Sequence, residues 1–190
     1  LITYIESHDE ERLTYKNINF GNASGGYNVK DLTTALKRNE MAAAFMFAIP
    51  GPKMIWQFGE LGYDYSINFN GRTGDKPIKW EYFTDSRRKA LYDAYAKFIK
   101  LKKNNSIFSS PTYTYSTTGA VKHIKLTNGT NTVIVVGHFD VVNQTANIDF
   151  GSAGTWLNAT GGSNINLGST TFTATLAPGE YHIYSKSALN

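Results

Sequence analysis

Tyr4-Ile5-Glu6-Ser7-His8-Asp9-Glu10-Glu11-Arg12 is the stretch on which the reading of the fold turns. Ahead of it, Ile2, Tyr4 and Ile5 read as a short strand. The strand opens into a run dense in ionisable groups: Glu6, His8, Asp9, Glu10, Glu11 and Arg12. Such a run costs stability if it is buried without partners, so it marks a strand end at a surface or at a site. A strand that delivers His-Asp at its C-terminal end is where a (β/α) barrel places its chemistry. The plain alternative is that His8 and Asp9 cap a loop.

Working outward, a loop is expected over 17–28, with Gly21, Gly25 and Gly26. A helix is predicted over 31–48. Leu32, Ala35, Leu36, Met41, Ala44, Phe45 and Ala48 fall largely on one helical stripe, and Asp31 suits its start. Pro50-Gly51 stops it. Lys53-Met54-Ile55-Trp56-Gln57-Phe58 is apolar without clean alternation and reads as a buried, parallel strand that exits into Gly59-Glu60-Leu61-Gly62. An irregular stretch over 63–83 leads to a second helix from Asp85 or Ser86 to Lys103, with Ala90, Leu91, Ala94, Tyr95, Phe98 and Ile99 as its buried stripe. Strand, helix, strand, helix in this order argues for parallel strands with right-handed crossovers.

From Ile107 the texture changes. Thr, Asn, Gly and Ser dominate and helical periodicity disappears. Short strands are predicted over 112–115, 121–126, 132–139, 145–150, 154–157, 171–176 and 181–184. Asn128-Gly129 is a hairpin signal and Pro178-Gly179 marks another turn. Strands at this spacing suggest an antiparallel sandwich. The boundary is placed at Asn104-Asn105, giving an α/β part over 1–104 and an all-β domain over 105–190.

Composition narrows the function classes. A hydrophobic share of 41% and a charged share of 18% fit a folded chain of one large or two small domains. The net charge of +4 is mild, and its clusters, Arg87-Arg88-Lys89 and Lys100, Lys102 and Lys103, share one predicted helix. A solvated helix face accounts for them better than a nucleic-acid footprint, so no nucleic-acid partner is expected. No apolar run reaches the roughly 20 residues of a membrane span, so no membrane partner is expected. With no cysteine, disulfides and thiolate metal sites are excluded. His8, His123, His138 and His182 show no ligand spacing, so neither metal nor cofactor is expected. The chain opens inside a strand, which suggests that an N-terminal part precedes it; localisation is not read from the sequence.

The order of parts resembles the C-terminal third of the α-amylase family of glycoside hydrolases and transglycosylases. Glu6-Ser7-His8-Asp9-Glu10-Glu11-Arg12 is similar to the family's last catalytic motif, (E/N)-(N/S)-H-D-x-x-R. Pro50-Gly51-Pro52 through Gly59-Glu60-Leu61-Gly62 is similar to its eighth barrel strand, with Leu61 in place of the usual second acid. The likeness implies the last two βα units of a TIM (β/α)8 barrel followed by an antiparallel β-sandwich. It implies a retaining enzyme acting on α-1,4-glucans, by hydrolysis or by 1,4-α-glucan branching. The wording Glu6-Ser7-His8-Asp9 leans towards branching-enzyme-like members. Residue by residue, Asp9 matches the carboxylate that stabilises the transition state, and His8 the donor to the same glucose. Arg12 and Glu60 match supporting positions. The nucleophile and general acid belong to strands outside this sequence, so the chain alone is expected to be inactive. Its partners would be an α-glucan polysaccharide or oligosaccharide and the missing N-terminal part of the barrel. The family's calcium also lies on segments absent here.

A second reading is a non-catalytic carbohydrate-binding β module. Trp156, Tyr113, Tyr115 and Tyr181 either stack on sugars or pack in the core.

Overall fold

Thr3 and Lys53 are where the two expected parallel strands meet. The Thr3 amide donates to the Pro52 carbonyl (3.1 Å) and the Met54 amide to the Thr3 carbonyl (3.1 Å), forming a parallel bridge. The direction agrees with the sequence reading, but pairing stops at this bridge, and neither 2–5 nor 53–58 forms a strand. Two short segments paired only with each other make too few bonds to sustain a ladder. The computed structural model describes residues 1–109 and 112–190. It resolves into two units: residues 1–46 with 51–98, and residues 47–50 with 99–190.

In the first unit a helix, α1 (Leu13–Phe20), occupies part of what reads as loop, and a two-residue hairpin, β1 (Ala23–Ser24) and β2 (Tyr27–Asn28), follows it. α1 has no side-chain cap at Arg12. Its first amide, Leu13 N–H, instead donates to the Glu6 carboxylate at 2.7 Å, a non-local cap. α2 (Leu32–Ala48) buries Ala35, Leu36, Met41 and Ala44, as its apolar stripe requires. Asn39 of α2, also buried, donates to Thr14 Oγ1 of α1 at 2.7 Å, so its amide is satisfied.

α3 (Ser86–Asn104) buries Leu91, Tyr95 and Phe98. Of its basic residues, Arg87, Lys89, Lys100 and Lys103 are exposed, as a solvated face requires, and Arg88 is the exception. Arg88 is 5% exposed. It donates to the Leu61 and Gly62 carbonyls and to Asp64 Oδ2 (2.7 Å), and stacks 3.7 Å over the Tyr82 ring. Arg87 pairs with Asp85 (2.6 Å) and Lys89 with Asp93 (2.7 Å). No helix among the described residues is long and apolar enough to cross a membrane.

The second unit carries the β domain. One sheet has strand order β3 (Thr112–Ser116), β4 (Val121–Asn128), β5 (Asn131–His138), β10 (Tyr181–Ser185), β7 (Gly154–Asn158), β8 (Ile165–Leu167). The other is the pair β6 (Gln144–Asp149) and β9 (Thr171–Leu176). All pairings are antiparallel. Between the sheets lie Ile134, Val136, Ile148, Phe150, Trp156, Leu176 and Tyr184. Trp156 has no exposed surface; Phe150 meets it edge-on at 4.8 Å, and its indole N–H donates to the Ser152 carbonyl. This is the β-sandwich expected, with β8 as a strand that its polar Asn166 and flanking Gly-Ser turns hid.

Candidate functional site

His8 and Asp9 sit in a turn between Ser7 and Arg12 and point to solvent, with side chains 70% and 68% exposed and 3.1 Å apart at Nε2 and Oδ2. What holds the turn is buried. Glu6 and Arg12 are 7% and 5% exposed, and Arg12 Nε stands 3.2 Å from Glu6 Oε1. Arg12 also donates to the Gln57 carbonyl and lies 4.8 Å over the Tyr63 ring. Burial holds the Glu6 carboxyl above the usual range, against the opposing pull of Arg12, and it lowers Arg12 from the usual arginine value. Desolvation therefore outweighs the attraction within the pair, as expected for an ion pair out of water.

The second motif supplies the other side. Phe58 adopts a left-handed backbone (φ 58°) while 5% exposed, its ring stacked on Tyr63 at 5.9 Å. A left-handed phenylalanine is strained, and here packing holds it. The chain turns there into the 3-10 turn Gly59–Leu61. Gly59 passes so close to Glu6 that a Cβ would stand 2.6 Å from Oε1. Trp56, just before the turn, brings its ring to 5.6 Å from His8.

A loop completes the site. Glu11 accepts from Ser66 Oγ (2.8 Å) and from the Ile67 amide (2.9 Å). Arg72 donates to the Asp9 carbonyl (2.9 Å), and its guanidinium lies 3.7 Å from the Asp9 carboxylate. Lys76 donates to the Gly71, Arg72 and Gly74 carbonyls, closing the loop on itself. The result is a cavity of about 390 Å³ lined by His8, Asp9, Glu10, Trp56, Tyr65 and Arg72 among others.

Of the residues singled out from sequence, His8, Asp9 and Arg12 line this cavity, whereas Glu60 does not. Glu60 lies in the turn after Phe58, and its charge bears on Glu6 and Arg12. Trp56, Tyr65 and Arg72 are additions that the sequence reading missed. The signal for Arg72 is its place in Asn70-Gly71-Arg72, where two left-handed residues fold the loop back. Carboxylates, an imidazole, guanidinium groups and aromatic rings around one hollow suit a polyhydroxylated ligand, whose hydroxyls take the polar groups and whose apolar face takes the rings. The carboxylates lining the hollow are Asp9 and Glu10. Among the described residues no group of three or more His, Asp or Glu is placed to hold a metal ion.

No family model matches the sequence, and no curated protein does. Solved structures do match its fold. An Anoxybacillus alpha-amylase superposes over 100% of this chain with a TM-score of 0.69 at 15% identity, using 39% of its own length. A variant of AmyP solved in complex with maltotriose covers 100% of this chain at a TM-score of 0.73 and 12% identity, over 41% of its own length. A Nostoc punctiforme debranching enzyme, soaked with acarbose, covers 97% at a TM-score of 0.65 and 16% identity, over 33% of its length. The chain thus spans well under half of these proteins, and what it shares with them across its whole length is their fold.

Proposed function

We propose that this chain is a segment of an α-amylase-family glycoside hydrolase or transglycosylase acting on α-1,4-glucans by a retaining mechanism. In this reading residues 1–104 are the last two βα units of a (β/α)8 barrel, and 105–190 are its β-sandwich domain. The observation that carries the reading is His8 and Asp9 exposed together on the wall of a cavity walled also by Trp56 and Arg72. The fold likeness to an alpha-amylase, to a protein solved with maltotriose and to a debranching enzyme soaked with acarbose supports it.

Retaining hydrolysis needs a nucleophilic carboxylate and a general acid about 5–5.5 Å apart, and its transition state is oxocarbenium-like. Asp9 serves as a third carboxylate. Its fixed negative charge and its hydrogen bonds to ring hydroxyls are worth most when positive charge develops on the sugar. His8 donates to the same glucose. Arg12 and Glu6 hold the turn, with Glu60 behind them. The nucleophile and the acid are supplied by barrel strands outside this sequence, and the water or sugar acceptor that decides between hydrolysis and branching binds among those strands.

The test has two arms. Asp9→Asn in the enzyme that carries this chain lowers turnover on a soluble α-glucan by at least about 10²-fold, the scale of one preorganised transition-state contact. The 190-residue chain alone releases no reducing sugar. A near-parental rate for the variant, or measurable hydrolysis by the isolated chain, overturns the assignment.

A further inference from the structure

Asn158, the last residue of β7, gathers the loop that leads from it to β8. Its Oδ1 accepts from the Thr160 amide (2.9 Å) and from Thr160 Oγ1 (2.6 Å). Its own backbone N–H donates to Asn164 Oδ1 (2.9 Å), and its Nδ2 reaches the Ser163 carbonyl at 3.4 Å. That same Nδ2 stands 3.2 Å from His182 Nδ1 on β10. On the far side of the imidazole, His182 Nε2 lies 2.8 Å from Glu180 Oε1. The other Glu180 oxygen accepts from the Ala177 amide at 2.8 Å. All of these residues belong to the second unit.

These bonds fix where the protons are. A backbone N–H can only donate, so the Thr160 amide obliges Asn158 to turn its oxygen to the loop and its NH2 to the imidazole. Nδ1 of His182 must then accept, its ring proton sits on Nε2, and that N–H donates to Glu180. The site is bonded for the neutral ring. An imidazolium has two donors and no acceptor. Its Nε2–H would keep the Glu180 carboxylate and gain from the charge. Its Nδ1–H would face the Asn158 amide N–H. Turning that amide over mends the contact only by aiming NH2 at the Thr160 amide. Other titratable side chains near His182 do not bridge to the loop. Tyr184 brings its ring to 5.4 Å from the imidazole. Val136 of β5, the partner of His182, also pairs with His123 of β4. His138, two residues along β5, shares that face, fully buried and with neither ring nitrogen bonded. The facing sheet turns Ala174 and Leu176 inward.

We propose that His182 is a proton-operated latch on the loop over 159–164. Uncharged, it accepts from Asn158 and keeps the loop closed on β7. Protonated, it stays with Glu180, repels the Asn158 amide and releases the loop. Histidine is the side chain whose charge changes near neutral pH, so mild acid is the trigger. Glu180 decides which end yields: its carboxylate holds the charged ring in place, and the misfit passes to the loop.

Nitrogen-15 NMR of the 190-residue chain between about pH 7.5 and about pH 5.5 tests this. Backbone order parameters over 160–164 are expected to fall from about 0.85 to about 0.6 or less, while those of β5 and β10 hold. The His182 ring nitrogens report Nδ1 gaining its proton over the same pH range. His182→Gln leaves the loop indifferent to pH. Asn158→Asp reverses the sign, because an aspartate accepts from both Thr160 and the Nδ1–H, so the loop is more ordered at the lower pH. His138→Phe keeps the parent's response. A parent loop equally ordered at both pH values, a proton already on Nδ1 at the higher pH, or a parental response in His182→Gln overturns the proposal. Loss of the response in His138→Phe overturns it too, by assigning the effect to the other histidine.

Discussion

Glu6 shows how much of the site is decided by a residue that faces away from it. Its carboxylate caps α1 through the Leu13 amide, meets Arg12, and leaves no room for a side chain at residue 59. The turn that displays His8 and Asp9 is thus clamped at both ends by one ion pair. Its carboxyl is held above the usual carboxylate range, first by burial. Between the ordinary glutamate value and this raised one, the folded chain keeps a proton that the unfolded chain has released. Stability from this group is therefore full below the ordinary value and fades as pH rises through the raised one. Glu6→Gln removes the fade, so urea unfolding at a series of mildly acidic pH values gives a flatter profile than the parent. An unchanged slope would show that Glu6 does not titrate there. His8, Asp9 and Arg12, singled out in the sequence by their motif, line one hollow. Arg72 and Tyr65 were not singled out, because a loop tied down by the Glu11 carboxylate and by Arg72 itself brings them in from more than fifty positions away.

At the scale of elements, α2, α3 and nearly every sandwich strand could be read from periodicity, since each buries one face. The failures share a cause. α1 is short and takes its cap from Glu6, outside any local window. The segments 2–5 and 53–58 have strand composition, but a strand exists only with partners, and each has one bridge. The exit from the second segment depends on backbone freedom at Gly62, which has a φ of +66° and closes the turn from Gly59. A Cβ there would stand 2.1 Å from Leu36 Cδ2 and 3.2 Å from Thr14 Oγ1. Gly62→Ala therefore adds left-handed strain to overpacking against α1 and α2, a loss of about 2–4 kcal/mol in denaturant unfolding. A loss under about 0.5 kcal/mol would mean that the helices yield freely.

For the molecule as a whole, the two units illustrate different ways of being held together. The β domain is organised around Trp156, which touches Phe150 and lies between the sheets. Trp156→Ala leaves a large cavity and costs about 3–5 kcal/mol. The loss is read as faster amide exchange in β5 and β10, and protection equal to the parent's would show that the sheets close over the gap. The first unit adds polar ties to its apolar core: Glu6 with Arg12, Arg88 with Asp64, Asn39 with Thr14, Glu11 with Ser66 and Ile67. The Glu11 clamp and the three carbonyls gathered by Lys76 shape the loop over 66–76 through the chain's own hydrogen bonds. Under the proposed function, a sugar entering the hollow would meet a loop already tied by these bonds, so less of the free energy of its hydroxyl contacts would go into ordering the protein.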